Sequence, residues 1–444
     1  MDLKHLFRPS TMAVIGVSTS HDNHPANVIY NKNHLRYPVK TFPVNPKGGI
    51  LNREILFRSI EDIEENIDMA VIAVRAKYVP KVVEQCIKKG VAGAVIISGG
   101  FAESGNKDIQ QLVVDMAKEA SFPFVGPNCL GIYSPDYVDT FFLPGERIIR
   151  PDKGNVGFVS QSGGVLVDQM VKFAGQGIGV SLAVSIGNKA YIRETEMLDW
   201  LDQDLETKVI AFYIEGFEKG EGRQFIQKAD QCSKPVVILK AGKSKKGVEA
   251  VSSHTASLAG DYRVFSEIMK QYYVAEADNE HELTSFCESL SCYQKGIKGN
   301  VGIISLSGGH GAIAADACEL YGLSIPRIEK ETRDIIKEKL AAEIRNIASL
   351  VNPLDLTGSC VDNDIVTSAR HLSRDKNVDC ILALLIPYSP GVSADIGAKL
   401  SQVARNEDKY RIIIEGFELN NIPVASSVEG AVLMATALKR CRPC

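Results

Sequence analysis

The chain has 444 residues, of which 45% are apolar and 23% charged, and its formal net charge is -4. This balance is typical of a soluble protein with several domains, and the slight acidity gives no electrostatic reason to expect nucleic acid or an anionic membrane as a partner. The N-terminal residues lack the pattern of a signal peptide and no apolar run approaches the ~20 residues of a transmembrane helix, so we expect a cytoplasmic protein.

The first third of the chain alternates short apolar strands with amphipathic helices. Strands are predicted at residues 11–17, 40–44, 69–74, 93–98 and 122–125. Helices are predicted between them, for example at 79–89 and 107–119. The strands are nearly continuous runs of Val, Ile and Ala, which is typical of a parallel sheet covered on both faces.

The remaining two thirds repeat this alternation. Further strands are predicted at residues 155–160, 180–185, 209–214, 235–240, 300–305, 380–386 and 411–415. Segments rich in Pro, Gly and charge at 144–153 and 295–299 separate the groups. We therefore predict an α/β fold of three doubly wound domains, at residues 1–148, 149–296 and 297–444.

An internal repeat marks the start of the second and third domains. The segment GNVGFVSQSGG at 154–164 returns as GNVGIISLSGG at 299–309. A match of this density predicts that both domains begin with the same strand–turn–helix unit.

The glycine-rich turn of the first repeat is a candidate phosphate site. Ser162, Gly163 and Gly164 follow a predicted strand and precede a predicted helix. Glycines let the backbone approach a ligand closely, and a helix N-terminus offers free N–H groups to an anion. The alternative is a tight turn with a serine cap, which is preferred for the second copy at 307–309.

One histidine lies in a small, hydroxyl-rich setting. His254 sits within VSSHTASLAG at 251–260, which predicts an exposed loop. A neutral imidazole is a competent nucleophile toward phosphorus, so His254 is the candidate phosphate carrier, with His310 as second choice. Glu215 ends a predicted strand of the same domain, where a carboxylate can orient an imidazole; the alternative is an ordinary loop glutamate.

The first predicted strand leads into a candidate nucleotide-type turn at Gly16 and Ser18, although G-x-G-x-x-G is absent. Lys47 follows the second strand, where it either pairs with a ligand phosphate or is a surface lysine. The ten cysteines are scattered, and no second Cys or His pair lies near Cys441 and Cys444, so no metal site is predicted. Cys441 and Cys444 have redox-motif spacing without a preceding strand–helix unit, so their role is left open.

Taken together, these motifs resemble the NDP-forming acyl-CoA synthetase superfamily, and within it the alpha subunits of ADP-forming acetate–CoA ligases. The resemblance runs along the whole chain. Its motifs lie at residues 13–18, 43–47, 98–103, 126–131, 160–164, 213–216, 253–255, 307–311 and 352–355.

The resemblance implies a Rossmann-like CoA-binding domain followed by two flavodoxin-like, succinyl-CoA synthetase-like domains. It implies the reversible reaction of an acid, CoA and ATP to acyl-CoA, ADP and phosphate, through an acyl phosphate and a phosphohistidine at His254. Ser162, Gly163 and Gly164 would then hold phosphate, and Glu215 would steady the phosphohistidine.

For the other substrates, the resemblance places Gly16, Ser18 and Lys47 near CoA, and Asn128 and Cys129 near the acyl group. The three predicted domains leave no room for an ATP-grasp region. We therefore expect a separate ATP-grasp beta subunit carrying ATP or ADP with Mg²⁺, in a hetero-oligomer.

Two alternatives stay open at this stage. A CoA-binding regulatory protein would keep the fold without turnover, but the presence of His254 and Glu215 argues against it. A nicotinamide-dependent oxidoreductase lacks both its glycine fingerprint and an acidic residue at the end of the second strand, at 41–45. The carboxylic acid, the direction of the reaction and the stoichiometry are not readable from the sequence.

Overall fold

The computed structural model describes residues 2–254, 261–406, 411–415 and 422–441. Its contacts divide the chain into two compact units, Met1–Tyr272 and Tyr273–Cys444. Within the described ranges, no helix is long and apolar enough to cross a membrane. The boundaries predicted at 148 and 296 stay predictions.

The first unit alternates strands and helices along its length. Its elements are α1 Lys4–Phe7, β1 Thr11–Ile15, α2 Pro25–Arg36, β2 Lys40–Val44, β3 Ile50–Leu51, β4 Glu54–Ile55, β5 Met69–Ile72, α3 Val79–Lys89, β6 Gly93–Ile96, α4 Lys107–Glu119, β7 Phe124–Val125, β8 Gly131–Ser134, β9 Val138–Asp139, β10 Lys153–Ser160, α5 Gly163–Gly175, β11 Val180–Ser185, α6 Glu194–Gln203, β12 Val209–Ile214, α7 Glu221–Gln231, β13 Val236–Lys240, α8 Lys245–His254 and α9 Tyr262–Gln271.

The first sheet is parallel and has the order β2-β1-β5-β6-β7. Every residue of β5 and β6 is buried, which explains the uninterrupted apolar runs in the sequence. The chain moves from β1 to one side of the sheet and then crosses to the other at β5. The carboxyl ends of β1 and β5 therefore flank a topological switch point, where such sheets bind ligands.

The second sheet runs in the order β13-β12-β10-β11-β8-β9 within this unit. Its first four strands are parallel, with a switch point between β10 and β12. The strands β8 and β9 add to it in antiparallel fashion and were not predicted. They are too short for a periodic pattern, and an antiparallel edge of this kind is common on doubly wound sheets, so the predicted fold class holds with this addition.

A buried charge cluster ties α2 to β9. The carboxylate of Asp139 is fully buried and pairs with Lys32 Nζ at 2.8 Å and with Arg150 Nε at 2.5 Å. Asn33 adds two bonds to the Asp139 backbone, accepting from its N–H at 2.9 Å and donating to its carbonyl at 2.7 Å. Burial lowers the pKa of Lys32 to about 8, although Asp139 opposes this shift.

The second unit repeats the strand–helix alternation. Its elements are β14 Ala275–Ala277, α10 Glu280–Cys292, β15 Val301–Ser305, α11 Gly308–Leu320, α12 Lys330–Lys339, β16 Leu354–Asp355, α13 Asp362–Leu372, β17 Cys380–Leu384, α14 Ile396–Asn406, β18 Arg411–Glu415, β19 Val424–Ala425 and α15 Val428–Arg440. Its parallel sheet has the order β16-β15-β17-β18-β19, which places another switch point between β15 and β17.

The predicted internal repeat is confirmed at atomic detail. In the first copy, Ser160 Oγ donates to the Ser162 carbonyl at 2.6 Å and accepts from the Ser162 N–H at 3.1 Å. In the second copy, Ser305 Oγ makes the same pair of bonds to Ser307 at 2.7 and 3.1 Å. Each central strand therefore ends in the same serine-locked turn.

A glutamate of α10 makes the stability of the second unit depend on pH. Burial raises the pKa of Glu288 to about 7, although its carboxylate accepts a hydrogen bond from the Val424 N–H at 2.9 Å. The folded state thus holds a proton that the unfolded chain releases near its ordinary pKa. We therefore expect the stabilisation that this proton contributes, about 3 kcal/mol, to be complete below about pH 4.5 and to be lost as the pH rises to about 7.

We predict that Glu288→Gln removes this loss, because the amide is neutral and keeps an acceptor for Val424. Hydrogen exchange of peptides from α10 is expected to match wild type at pH 5 and to be slower than wild type at pH 8. The exposed Glu343→Gln is the control and should change neither value. Equal exchange in wild type and Glu288→Gln at pH 8 would show that the buried proton contributes nothing.

Candidate functional site

The candidate phosphate turn and Glu215 follow neighbouring strands of the second sheet. Ser160, the last residue of β10, pairs in register with Tyr213 of β12. The turn that begins at Ser162 and the turn that contains Glu215 therefore leave the same carboxyl edge, on either side of the switch point. The topology therefore places these two candidate groups at one edge of the sheet.

Ser162 caps helix α5. Its backbone is extended, with φ of -107°, and its hydroxyl accepts from the Val165 N–H at 3.4 Å. The N–H groups of the first helical turn have no intrahelical acceptor, and the helix dipole adds positive potential there. A side-chain carbon placed on Gly164 would meet only the Ser162 hydroxyl, at 4.0 Å. The turn thus offers an open, donor-rich surface suited to phosphate.

Gln161 joins the two turns and was not predicted. Its Oε1 accepts from the N–H groups of Glu215 at 2.5 Å and Gly216 at 3.2 Å, and its Nε2 donates to the Gly216 carbonyl at 2.9 Å and to Glu194. The internal repeat carried a signal for it, because the second copy has Leu306 at the same place. An amide in one copy and an apolar residue in the other indicates a role specific to the first.

The backbone of Glu215 is held from both sides. Gln161 accepts from its N–H, and Lys240 Nζ donates to its carbonyl at 2.7 Å. Its half-buried carboxylate lies 3.5 Å from the Tyr213 hydroxyl. A carboxylate on a fixed backbone is suited to orienting a neighbouring imidazole.

A buried lysine also holds the turn that contains Glu215 and Gly216. Lys189 follows β11 with a left-handed φ of +44°, and its amine donates to Glu194 Oε1 at 3.0 Å, to the Gly216 carbonyl at 2.9 Å and to Glu221 Oε2 at 2.9 Å. Burial raises the pKa of Glu194. For Glu221, burial also acts to raise the pKa, but the charge and hydrogen bond of Lys189 outweigh it and the pKa is lowered.

The loop with Asn128 and Cys129 packs against the phosphate turn. It begins at a cis Gly126–Pro127 peptide, and Asn128 is exposed with φ of +57°. Leu130 Cβ lies 3.2 Å from the position of a side-chain carbon on Gly163, so the loop and the turn are in contact. Cys129 is buried, its thiol donates to the Ile96 carbonyl at 3.3 Å, and burial raises its pKa to about 12.

Asn128 is also linked, through Asn188, to the half-buried carboxylate of Glu103. Its Nδ2 donates to Asn188 Oδ1 at 3.3 Å, and Asn188 donates in turn to Glu103 Oε2 at 2.6 Å. Burial acts to raise the pKa of Glu103, but the hydrogen bonds from Asn188 and from the Phe101 and Gly100 N–H groups hold it lowered. Within this loop Asn128 is exposed, whereas Cys129 and Leu130 are buried.

The backbone around His254 differs from the prediction. The segment 251–260 was predicted as an exposed loop, but α8 continues to His254, and Val251 is buried. Ser244 starts this helix by accepting from the Gly247 N–H at 3.1 Å, as an N-cap does. The side chain of His254 and residues 255–260 lie outside the described residues.

The candidate CoA residues lie at the switch point of the first sheet. Gly16 has φ of +108°, and a side-chain carbon there would lie 2.4 Å from the Ala73 carbonyl oxygen beyond β5. The Ser18 hydroxyl accepts from the N–H groups of Ser20 and His21, each at 3.2 Å, so it shapes the turn. Lys47 is exposed in the turn after β2, where its amine is accessible to a ligand.

The remaining candidates lie in the second unit. Ser307 starts α11 without a side-chain cap, and His310 lies in the first turn of that helix with its Nδ1 buried and without a hydrogen-bond partner. Cys441 is buried, and burial raises its pKa to about 12. Cys444 lies outside the described residues.

Known proteins share both the sequence and the fold of this chain. Residues 10–135 match the CoA binding domain family, and residues 153–290 match the succinyl-CoA ligase like flavodoxin domain family. The chain is 32% identical over 459 residues to acetate–CoA ligase (ADP-forming) II subunit alpha of Pyrococcus furiosus, covering 98% of this chain and 97% of that one. The chain belongs to the ADP-forming acetate–CoA ligase family.

Other members differ in length. Acetate–CoA ligase (ADP-forming) I of Archaeoglobus fulgidus is 39% identical over 395 residues, which are 87% of this chain but only 55% of that protein. Among solved structures, dinucleotide forming acetyl-coenzyme A synthetase 1 of Ca. Korarchaeum cryptofilum, in complex with phosphate and ADP, has a TM-score of 0.86 at 27% identity, covering 99% of this chain and 96% of that one. The predicted α/β fold class is therefore confirmed.

Proposed function

We propose that the chain is the alpha-type subunit of an ADP-forming acyl-CoA synthetase and that His254 carries the phosphoryl group. The observation that supports this most directly is the pairing of the Ser162 turn with Glu215 through Gln161, in a chain that aligns with an alpha subunit over nearly its whole length. A donor-rich turn and a positioned carboxylate are what a phosphohistidine step requires.

In the proposed reaction, phosphate held at Ser162 and Gly163 attacks the thioester carbonyl of acyl-CoA. The carbon–sulfur bond breaks, CoA leaves as the thiol, and acyl phosphate is formed. The imidazole of His254 then attacks phosphorus, the bond between phosphorus and the acyl oxygen breaks, and the acid leaves as its carboxylate. Glu215 stabilises the charge that the imidazole gains as its phosphorus–nitrogen bond forms.

CoA itself is proposed to lie at the switch point of the first sheet, with its phosphates toward the Gly16–Ser18 turn and Lys47. The exposed face of Asn128, beside Cys129 and in contact with the phosphate turn through Leu130, is proposed to meet the acyl group. This arrangement brings the thioester and the phosphate to adjacent loops.

Transfer from phosphohistidine to ADP is proposed to require a separate ATP-grasp beta subunit that holds the nucleotide and Mg²⁺. The Archaeoglobus relative, whose length the chain spans by 55%, and the Pyrococcus subunit, which it spans by 97%, are consistent with this division. The chain alone should thus become phosphorylated without making ATP.

The test is to label the purified chain with an acyl phosphate carrying labelled phosphorus, or with acyl-CoA and labelled phosphate. Because the sequence does not identify the carboxylic acid, acyl phosphates and acyl-CoA compounds with acetyl, branched-chain and aryl groups are compared. We expect an acid-labile, base-stable label in wild type and none in His254→Ala. His310→Ala should keep the label, which separates the two candidate histidines.

Three results would contradict the proposal. Absence of label with every acyl phosphate, despite CoA binding, would favour a regulatory CoA-binding protein. Binding of NAD in preference to CoA would favour an oxidoreductase. A label that survives in His254→Ala and disappears in His310→Ala would move the phosphate carrier to the second unit.

A further inference from the structure

The turn that carries Glu215 is fixed by a polar network that reaches three strands. Gln161 follows β10, Lys189 follows β11 and Gly216 follows β12. Gln161 uses its whole hydrogen-bonding capacity near this turn, since Oε1 accepts two N–H groups and Nε2 makes two donations. Three separate loops are therefore locked to one another by a single carboxamide and a single amine.

The second layer of the network consists of buried charges. Glu194 begins α6 and Glu221 begins α7, and both carboxylates are buried on the Lys189 amine. Arg193 Nη1 faces this layer, 3.0 Å from Glu218 and 3.9 Å from Glu221. Buried charges of this kind persist only when their partners are in place, so removing one disturbs the whole layer.

The left-handed backbone of Lys189 supports the same conclusion. A non-glycine residue with φ of +44° is strained, and such strain is retained only when the surroundings over-determine it. Here the amine is drawn to Gly216 and to two carboxylates at once. The strain is therefore offset by the bonds that hold the Glu215 turn.

We propose that Gln161 and Lys189 are positioning residues, which act together with Glu194 to hold the Glu215 carboxylate at the phosphate turn. They touch neither substrate nor phosphate in this role. The proposal rests on the proposed phosphohistidine step, since it assigns Glu215 its purpose. The network then serves the reaction by fixing the position of Glu215, and its contribution to folding stability is secondary.

Exchanging the carboxamide of Gln161 and the carboxylate of Glu194 tests this proposal. Gln161→Met removes all four bonds of the carboxamide. Gln161→Glu keeps the acceptor for the two N–H groups but sets two carboxylates against each other. In the double variant Gln161→Glu/Glu194→Gln, the amide at position 194 can donate to the carboxylate at position 161. Lys189 can still donate to the Gly216 carbonyl. Thr207→Val is the control, because it removes buried bonds to Ser181 and Asp204 at the opposite end of β12.

Three quantities are measured: the rate of labelling by acyl phosphate, the Kd for CoA, and hydrogen exchange of a peptide spanning residues 211–218. We expect Gln161→Met and Gln161→Glu to label about 10²-fold more slowly, as small misplacements of catalytic groups do. The Kd should be unchanged, and exchange at the Glu215 and Gly216 N–H groups should be faster. The Gln161→Glu/Glu194→Gln variant should recover most of the rate, and Thr207→Val should label as wild type does.

The outcomes separate this proposal from the proposed function. A wild-type labelling rate in Gln161→Met, or an equal loss in Thr207→Val, would overturn the positioning role while leaving phosphohistidine in place. If wild type itself is not labelled, the proposed function fails. The exchange measurement then decides whether the network holds the Glu215 turn. Unchanged protection of the 211–218 peptide in Gln161→Met would then overturn the network as well.

Discussion

Gly16→Ala is expected to weaken CoA binding at least tenfold, whereas Gly90→Ala is expected to leave it unchanged. Both glycines have positive φ, at +108° and +77°, so both substitutions incur backbone strain. Only at Gly16 would the added carbon also meet backbone, 2.4 Å from the Ala73 carbonyl oxygen; at Gly90 nothing lies within 4 Å. The clash must push β1 and β5 apart at the switch point, where the proposed CoA-binding turn begins.

The expected cost of Gly16→Ala is about 2–5 kcal/mol of stability in the first unit, from strain and overpacking together. We expect a Kd for CoA at least ten times higher, measured by calorimetry at a temperature where the variant is folded. Trp200, the one tryptophan of the chain, contacts Phe7 at 4.7 Å between ring centres and reports this unit by fluorescence. Wild-type CoA affinity in a folded Gly16→Ala protein would remove the turn from the CoA site.

The parallel core was predictable because its strands are buried on both faces. Continuous runs of Val, Ile and Ala mark β5 and β6 clearly, and α3 and α4 have the predicted bounds. Several predicted strands were too long by one or two residues. Val17 and Ile97 explain part of this, since both are buried although they lie in the loops that follow β1 and β6. Apolar character reports burial, and hydrogen bonding alone decides where a strand ends.

The second sheet shows what sequence patterns do not encode. The strand β9 has only two residues, and its position depends on Asn33, Lys32 and Arg150, which are distant in sequence. No local periodicity in the sequence indicates that these three side chains contact residue 139. Its identification needs the fold, because only the fold brings the three side chains to one carboxylate.

The candidate site likewise contains residues that the sequence indicated and residues that it did not. Ser162 and Glu215 were predictable because each directly follows a strand, and parallel strands bring their carboxyl ends together. Gln161 and Lys189 were missed because their partners, the main chain at Gly216 and the carboxylates that start α6 and α7, come together only in the fold. The prediction for 251–254 was wrong because small polar residues also occur at helix ends, and Val251 provides the buried contact that extends α8.

Asp139→Asn is expected to destabilise the first unit by about 3–5 kcal/mol, because it leaves Lys32 and Arg150 buried without their anion. The amide keeps the shape of the side chain, and the bonds between Asn33 and the backbone of residue 139 can remain. The effect should therefore report charge rather than packing. Urea unfolding followed by Trp200 fluorescence measures it.

The deficit should also depend on pH in a defined direction. Burial already lowers the pKa of Lys32 to about 8 against the pull of Asp139, so its pKa must fall further in the variant. A folded state that releases this proton more readily than the unfolded chain gains stability as the pH rises. We expect the difference from wild type to shrink between about pH 6 and pH 8, without vanishing, because Arg150 stays charged.

Asp136→Asn is the matched control, since this exposed carboxylate pairs with Lys153 at 2.5 Å in solvent. It should change stability little at any of these pH values. If Asp139→Asn behaves like this control, the apolar contacts of α2 and β9 hold the edge of the second sheet by themselves. If it shows the pH-dependent loss, the short strand β9 exists because a buried ion cluster fixes it, which explains why no sequence pattern revealed it.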